Sequence, residues 1–171
     1  FKYAYLVLNI PFVIIWLLIF IFCKRTRYEQ IIMSLLFIPA GPISELLYFA
    51  DYWKPESVLF TNIGQIKIFL EDIIFAFLIG GIGSVAYESV FRKRLVRAKK
   101  INYKTSFVSI LVVVFVLSCL LFGVGINSIL ATSISAVVGA LLIISQRKDL
   151  LADSIYSGVG VMCIMFFSYL I

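Results

Sequence analysis

The chain has 171 residues, of which 63% are hydrophobic and 14% are charged, and its mean hydropathy is +1.09. A water-soluble domain of this size cannot bury so much apolar surface, so the composition indicates an integral membrane protein. Histidine is absent, which excludes imidazole acid–base chemistry and most catalytic zinc sites. The three cysteines lie singly, without metal-binding or redox spacing, and we interpret them as packing residues. We therefore expect neither a metal ion nor a cofactor.

The apolar segments predict six membrane-spanning helices, because a helix needs about 20 mostly apolar residues to cross a bilayer. In chain order, spans one to six are 3–23, 31–50, 68–87, 106–124, 126–145 and 155–171. We expect an all-α bundle that forms one membrane domain over residues 1–171. The first residue is Phe1 and the last lies in an apolar segment, so we expect the natural protein to be slightly longer.

Basic residues are concentrated in the loops that follow spans one, three and five. They are Lys24, Arg25, Arg27, Arg92, Lys93, Arg94, Arg97, Lys99, Lys100, Lys104, Arg147 and Lys148. By the positive-inside rule we expect these loops in the cytoplasm and both termini on the outer side of the cell membrane. The net charge of +6 then reflects topology and contact with anionic lipids, and not nucleic-acid binding.

Small residues are concentrated in spans three and five. They are Gly80, Gly81, Gly83 and Ser84 in the first of these, and Ala131, Thr132, Ser133, Ser135, Ala136, Gly139 and Ala140 in the second. Small side chains let helix backbones approach closely, so these stripes predict helix–helix contacts. A groove for a flat apolar ligand is the alternative.

The second span contains an acidic residue, Glu45, among apolar neighbours, and Asp51 follows at its outer end. Pro39, Gly41 and Pro42 precede Glu45 and predict a break or bend in the helix. A break frees backbone groups that lipid cannot satisfy, so we expect a cavity beside it.

Two further carboxylates, Glu71 and Asp72, begin span three, which runs back from the outer surface. We therefore expect them to converge with Glu45 and Asp51 on one level of the membrane. Acids at membrane depth are costly, which makes them candidates for function. Adjacent helix residues point about 100° apart, so we expect one of the pair to face the bundle and the other the headgroups or Lys67. The alternative is that both acids only complement the helix dipole at the interface.

The far end of span three contains Glu88, which lies about 25 Å from this level, and we interpret it as the partner of Arg92 in a cytoplasmic ion pair.

Aromatic residues surround the acidic level, and four of them are candidate substrate-binding residues: Tyr48, Trp53, Phe75 and Phe77. Aromatic faces stabilise cations and bind extended apolar chains. The alternative is an aromatic belt at the membrane interface. We expect the segment 51–67 to form an outer loop that covers the acids.

Together these residues resemble the lycopene cyclase domain of the small integral-membrane carotenoid cyclases, over about residues 43–91. That family has an acidic pair that leads into a phenylalanine-rich helix ending near Tyr-Glu. Glu71 and Asp72 match the acidic pair. Phe75 and Phe77 match the phenylalanines of the helix, and residues 87–88 match the Tyr-Glu at its end.

The chain departs from the family pattern in two places. Phe69 stands where the motif has proline, and no second acidic motif follows Tyr103, although the cyclases are built from two such domains. A second membrane subunit or a second copy of the chain is therefore an expected partner.

The resemblance implies a non-redox enzyme that closes the ends of a linear isoprenoid such as lycopene into rings. One carboxyl group protonates a terminal double bond and another removes a proton after ring closure. Glu71 and Asp72 are the catalytic candidates, with Glu45 as a further proton donor, and the assignment of acid and base stays open.

Two other functions remain open on sequence alone. Six spans in 171 residues also suit the substrate-binding subunit of a vitamin transporter, with a polar ligand under the outer loop. The third hypothesis is a non-catalytic membrane assembly protein, in which the acids only anchor helices.

Overall fold

The computed structural model describes residues 4–48, 51, 60–63, 66–91 and 103–169. Seven α-helices are present in these ranges: α1 (Ala4–Phe22), α2 (Arg27–Phe37), α3 (Ala40–Tyr48), α4 (Leu70–Phe91), α5 (Tyr103–Ser118), α6 (Ser128–Gln146) and α7 (Leu150–Tyr169). A π-helical segment, Cys119–Val124, continues α5. The prediction of an all-α chain is confirmed, and most of its helices are apolar enough to cross a membrane.

Five helical segments are long and apolar enough to cross a membrane, among the residues that the structure describes. They are Arg27–Tyr48, Leu70–Phe91, Phe107–Val124, Ser128–Gln146 and Leu150–Phe167. The apolar helix Leu6–Phe22 is shorter. The sixth span and the placement of the termini therefore stay predictions.

A short two-stranded antiparallel hairpin lies in the loop between α3 and α4 and leaves the all-α fold class unchanged. Strand β1 (Phe60–Ile63) pairs with β2 (Ile66–Phe69), and Phe60 lies opposite Phe69 at the open end. Paired strands satisfy their backbone groups without helix formation. The hairpin occupies part of the predicted outer loop and leads directly into α4.

The predicted break in span two is confirmed. Helix α2 ends at Phe37, and α3 begins at Ala40, so Ile38 and Pro39 separate two half-helices. Proline cannot donate a backbone hydrogen bond, and its ring clashes with the preceding turn, which accounts for the interruption.

Helix α4 is the central element, because α1, α2, α3 and α7 all pack against it. Phe12 of α1 and Leu78 and Ile82 of α4 form the buried hydrophobic core. The glycines of α4 confirm the predicted close contacts: a side chain at Gly81 would overlap Ser34 of α2 and the indole nitrogen of Trp16.

Helices α5 and α6 form a second layer. Along α6, the residues Ala131, Ser135 and Gly139 are buried, and Gly139 lies against Val113 of α5. The small residue Ala136 is exposed, so only part of the predicted stripe makes this contact. The other faces of both helices are apolar and exposed, which suits contact with lipid.

Candidate functional site

Three buried carboxylates lie where α3 meets the first turn of α4. Glu71 is 1% exposed, Asp72 is 6% exposed and Glu45 is 8% exposed. The predicted convergence of these residues is therefore present. We call Glu45, Glu71 and Asp72 the carboxylate layer.

The carboxylates lie close enough to interact electrostatically. The Glu45 carboxyl group lies within electrostatic reach of Asp72 and, more weakly, of Glu71. Like charges in a weakly polar environment repel strongly, so the three side chains form one electrostatically connected site. A site of this kind can both donate and accept protons.

The hairpin also contributes to the carboxylate layer. The backbone N–H of Phe69, the last residue of β2, donates a hydrogen bond of 3.4 Å to Oε2 of Glu45. Phe69 immediately precedes α4, where the first backbone N–H groups have no partner within the helix. The side chain from α3 thus binds a donor that the start of α4 leaves available.

One part of the expectation about the acidic pair is wrong. One of the two was expected to face the headgroups or Lys67, but both are buried, so neither faces the headgroups. The contact with Lys67 stays a prediction, because that side chain lies outside the part of the chain that the structure describes. Adjacent residues do point about 100° apart. Because several helices pack around α4, both directions lead into protein and neither leads to the membrane surface.

Asp51, the fourth acid of the expected group, makes its hydrogen bonds to the start of α6. Its carboxylate accepts hydrogen bonds from the backbone N–H of Ser128, at 2.8 Å, and from the Ser128 hydroxyl. Its carbonyl oxygen accepts a hydrogen bond from the side chain of Asn127. Asp51 therefore joins the end of α3 to the start of α6.

Two of the candidate substrate-binding residues pack against α1. The ring of Phe75 meets Phe12 edge-on with centroids 5.3 Å apart, and the ring of Phe77 lies 5.5 Å from that of Trp16. Both are partly buried beside the core, so they stabilise the α1–α4 contact whatever else they bind. Tyr48 is half-buried at the end of α3, and Trp53 lies outside the described residues.

At the opposite end of α4, Glu88 lies within electrostatic reach of Glu29 on α2. The predicted partner, Arg92, lies outside the described residues, so that ion pair stays a prediction. Two acids therefore approach each other about 25 Å from the carboxylate layer.

Sequence reasoning missed a buried polar network between α1 and α2. The indole N–H of Trp16 donates to Oγ of Ser34 at 2.9 Å, and Nε2 of Gln30 donates to the Trp16 carbonyl oxygen at 2.9 Å. Gln30 and Ser34 are both fully buried. Their i, i+4 spacing puts both on one face of α2, and that pattern was the available signal.

The described residues contain no group of three or more His, Cys, Asp or Glu side chains positioned to hold a metal ion.

Comparison with protein families, with curated proteins and with solved structures gives no match. Any functional assignment therefore depends on the residues and geometry described above.

Proposed function

We propose that this protein catalyses the acid–base cyclisation of a linear isoprenoid chain within the membrane, with Glu45, Glu71 and Asp72 as the reacting groups. The observation that carries the proposal is the burial of all three carboxylates where two helices, α3 and α4, meet. Such residues are costly at membrane depth, and a site that cycles protons gives them a function.

The proposed reaction needs no net oxidation or reduction. A carboxylic acid of the layer transfers its proton to a terminal carbon–carbon double bond, which leaves a carbocation. A neighbouring double bond attacks that carbocation and closes the ring, and the positive charge moves to a ring carbon. A carboxylate then removes a proton from an adjacent carbon, so the product is an isomer of the substrate.

The environment of the layer supports this chemistry. Burial excludes water, which would otherwise capture a carbocation. Aromatic faces at Phe75, Phe77, Tyr48 and Trp53 are proposed to bind the chain and stabilise positive charge. The apolar outer faces of the helices give a lipid-dissolved substrate a route from the bilayer.

We further propose that six spans cross the cell membrane with both termini outside, so that the hairpin and carboxylate layer lie in the outer leaflet. The support for this orientation is the positive-inside distribution of Lys and Arg. Membrane lipids are then the immediate surroundings, and a second copy or a second membrane subunit is the proposed protein partner.

The experiment is expression in cells that accumulate lycopene, alone and together with candidate partner domains, followed by pigment analysis. Glu71→Gln, Asp72→Asn and Glu45→Gln should each abolish or greatly reduce ring formation. Glu29→Gln is the matched control, because Glu29 lies in α2, the other half of the interrupted span, about 24 Å from Glu45. No rings in any pairing would overturn the proposal.

A binding or transport module is the second candidate, because three buried acids could also hold a cationic ligand. In that case a water-soluble molecule should copurify with the wild-type protein and be lost in Glu71→Gln. If neither rings nor a ligand are found, a non-catalytic assembly function is favoured.

A further inference from the structure

Gly41 lies at the closest approach of α3 to α4. A Cβ atom at this position would be 2.8 Å from the carbonyl oxygen of Asp72, 2.9 Å from its carbonyl carbon and 3.0 Å from the nitrogen of Ile73. All three atoms belong to one backbone peptide group of α4. That group cannot rotate away as a side chain can, so a side chain at Gly41 would push the two helices apart.

Gly41 also shares a face with a member of the carboxylate layer. Gly41 and Glu45 are the two buried residues of α3, and their i, i+4 spacing puts both toward α4. They are separated by one turn, about 6 Å along the helix axis. The spacing that Gly41 permits therefore sets how far the Glu45 carboxylate lies from those of Asp72 and Glu71.

We infer that Gly41 is a positioning residue for the carboxylate layer, holding α3 against the Asp72–Ile73 peptide so that Glu45 and Asp72 act on the same substrate. This inference rests on the proposed function for its catalytic consequence, and on the glycine contact for its geometry. A methyl group at Gly41 needs about 0.6 Å more room to reach ordinary contact distance. Misplacement of a reacting group by about 1 Å can cost about a hundredfold in rate.

The first test is the rate of ring formation in Gly41→Ala, which we expect to fall between about tenfold and a hundredfold with an unchanged KM. Two controls separate positioning from general packing. Gly158→Ala adds a methyl group in open space, and Gly81→Ala overlaps side chains of Ser34 and Trp16 about 14 Å further along α4. Neither control should reproduce the loss of kcat.

A compensating substitution makes the test specific. Asp72→Glu lengthens the facing side chain by one methylene group, so it should partly restore kcat in Gly41→Ala while lowering kcat in the wild-type chain. Such non-additivity is expected for residues that share one contact. If Gly41→Ala retains full activity, or if its loss equals that of Gly81→Ala and is not restored by Asp72→Glu, the inference is overturned.

A second readout does not require activity. Infrared difference spectra of the protein in vesicles report the carboxyl band that Glu45→Gln removes, as a function of pH. Gly41→Ala should alter the titration of that band, and Gly158→Ala and Gly81→Ala should not. If the wild-type protein forms no rings but Gly41→Ala still alters the band, the positioning role is supported and the proposed function is contradicted. An unaltered band would contradict the positioning role.

Discussion

The Asp51 carboxylate accepts the backbone N–H of Ser128 at 2.8 Å, although the two residues are separated by 77 positions in the chain. The Ser128 hydroxyl donates to the other carboxylate oxygen. Acceptors at the start of a helix are favourable because its first N–H groups lack partners and carry partial positive charge. The contact holds the α5–α6 layer to the end of the half-helix that contains Glu45.

This contact should make stability depend on pH in the acid range. Hydrogen bonds from the Ser128 hydroxyl and N–H hold the pKa of the Asp51 carboxyl below its usual value. A lowered folded-state pKa adds stability at any pH above the unfolded value of about 3.9, and this stability is lost as the pH falls through the folded-state pKa. Asp51→Asn should therefore lower the midpoint of thermal unfolding at neutral pH, and its difference from wild type should disappear at strongly acid pH.

Asp149→Asn is the matched control. Hydrogen bonds from Arg147 lower the pKa of Asp149 too, but this pair is exposed and joins residues of the same short loop. Exposed ion pairs contribute little to stability, so Asp149→Asn should have the same midpoint of thermal unfolding as the wild-type protein. Equal behaviour of the two variants across the pH range would contradict the role given to Asp51.

The cap of α6 should be measurable separately. Oδ1 of Asn127 accepts the backbone N–H of Ile129 at 3.1 Å. Asn127→Ala should lower the free energy of unfolding by about 1 kcal/mol, whereas Asn127→Ser should retain most of it because serine also caps helices. Reversible unfolding in mixed micelles gives both free energies. Equal values for Asn127→Ala and Asn127→Ser would contradict the role of Asn127 as a cap.

The network between α1 and α2 predicts a loss of stability in Ser34→Ala. Without the serine hydroxyl the indole N–H of Trp16 loses its acceptor, which should cost about 1 kcal/mol. Ser133→Ala is the control, because its hydroxyl donates to Ile129 within α6 on an exposed face. A cost for Ser34→Ala no larger than that of the control would show that the network contributes nothing.

The proposed orientation is open to a labelling experiment. After replacement of the native cysteines, a cysteine at Asn62 in the hairpin should react with a membrane-impermeant maleimide in intact cells. A cysteine at Lys148 should react only after the membrane is opened, because the basic loop is assigned to the cytoplasm. The reverse pattern would overturn the orientation and move the carboxylate layer to the inner leaflet.

The helices could be predicted from sequence because hydropathy and proline are local signals. The apolar segments located each long helix to within about five residues at either end, and Pro39 indicated the interruption between α2 and α3. Helix α2 begins earlier than predicted, at Arg27, because polar residues make up its first turn. Their contacts with α1, such as the hydrogen bonds of Arg27 to the carbonyl oxygens of Phe20 and Ile21, involve a neighbouring helix.

The candidate site was predictable in part. Acids in an apolar segment stand out, so Glu45, Glu71 and Asp72 could be grouped from charge and chain direction. The burial of both Glu71 and Asp72 could not, because it depends on how many helices surround α4. The hydrogen bond between Asp51 and Ser128 could not be predicted either, since no short-range pattern relates residues so distant in sequence.

The central claim is that the carboxylate layer donates and removes protons during ring closure. Its most direct test is to incubate the purified protein in vesicles with lycopene in D₂O and to measure deuterium in the product by mass spectrometry. We expect each ring formed to contain a single solvent-derived deuterium, with no ring formation in Glu71→Gln or Asp72→Asn and normal incorporation in Glu29→Gln. Rings without deuterium, or undiminished ring formation in both carboxamide variants, would contradict the claim.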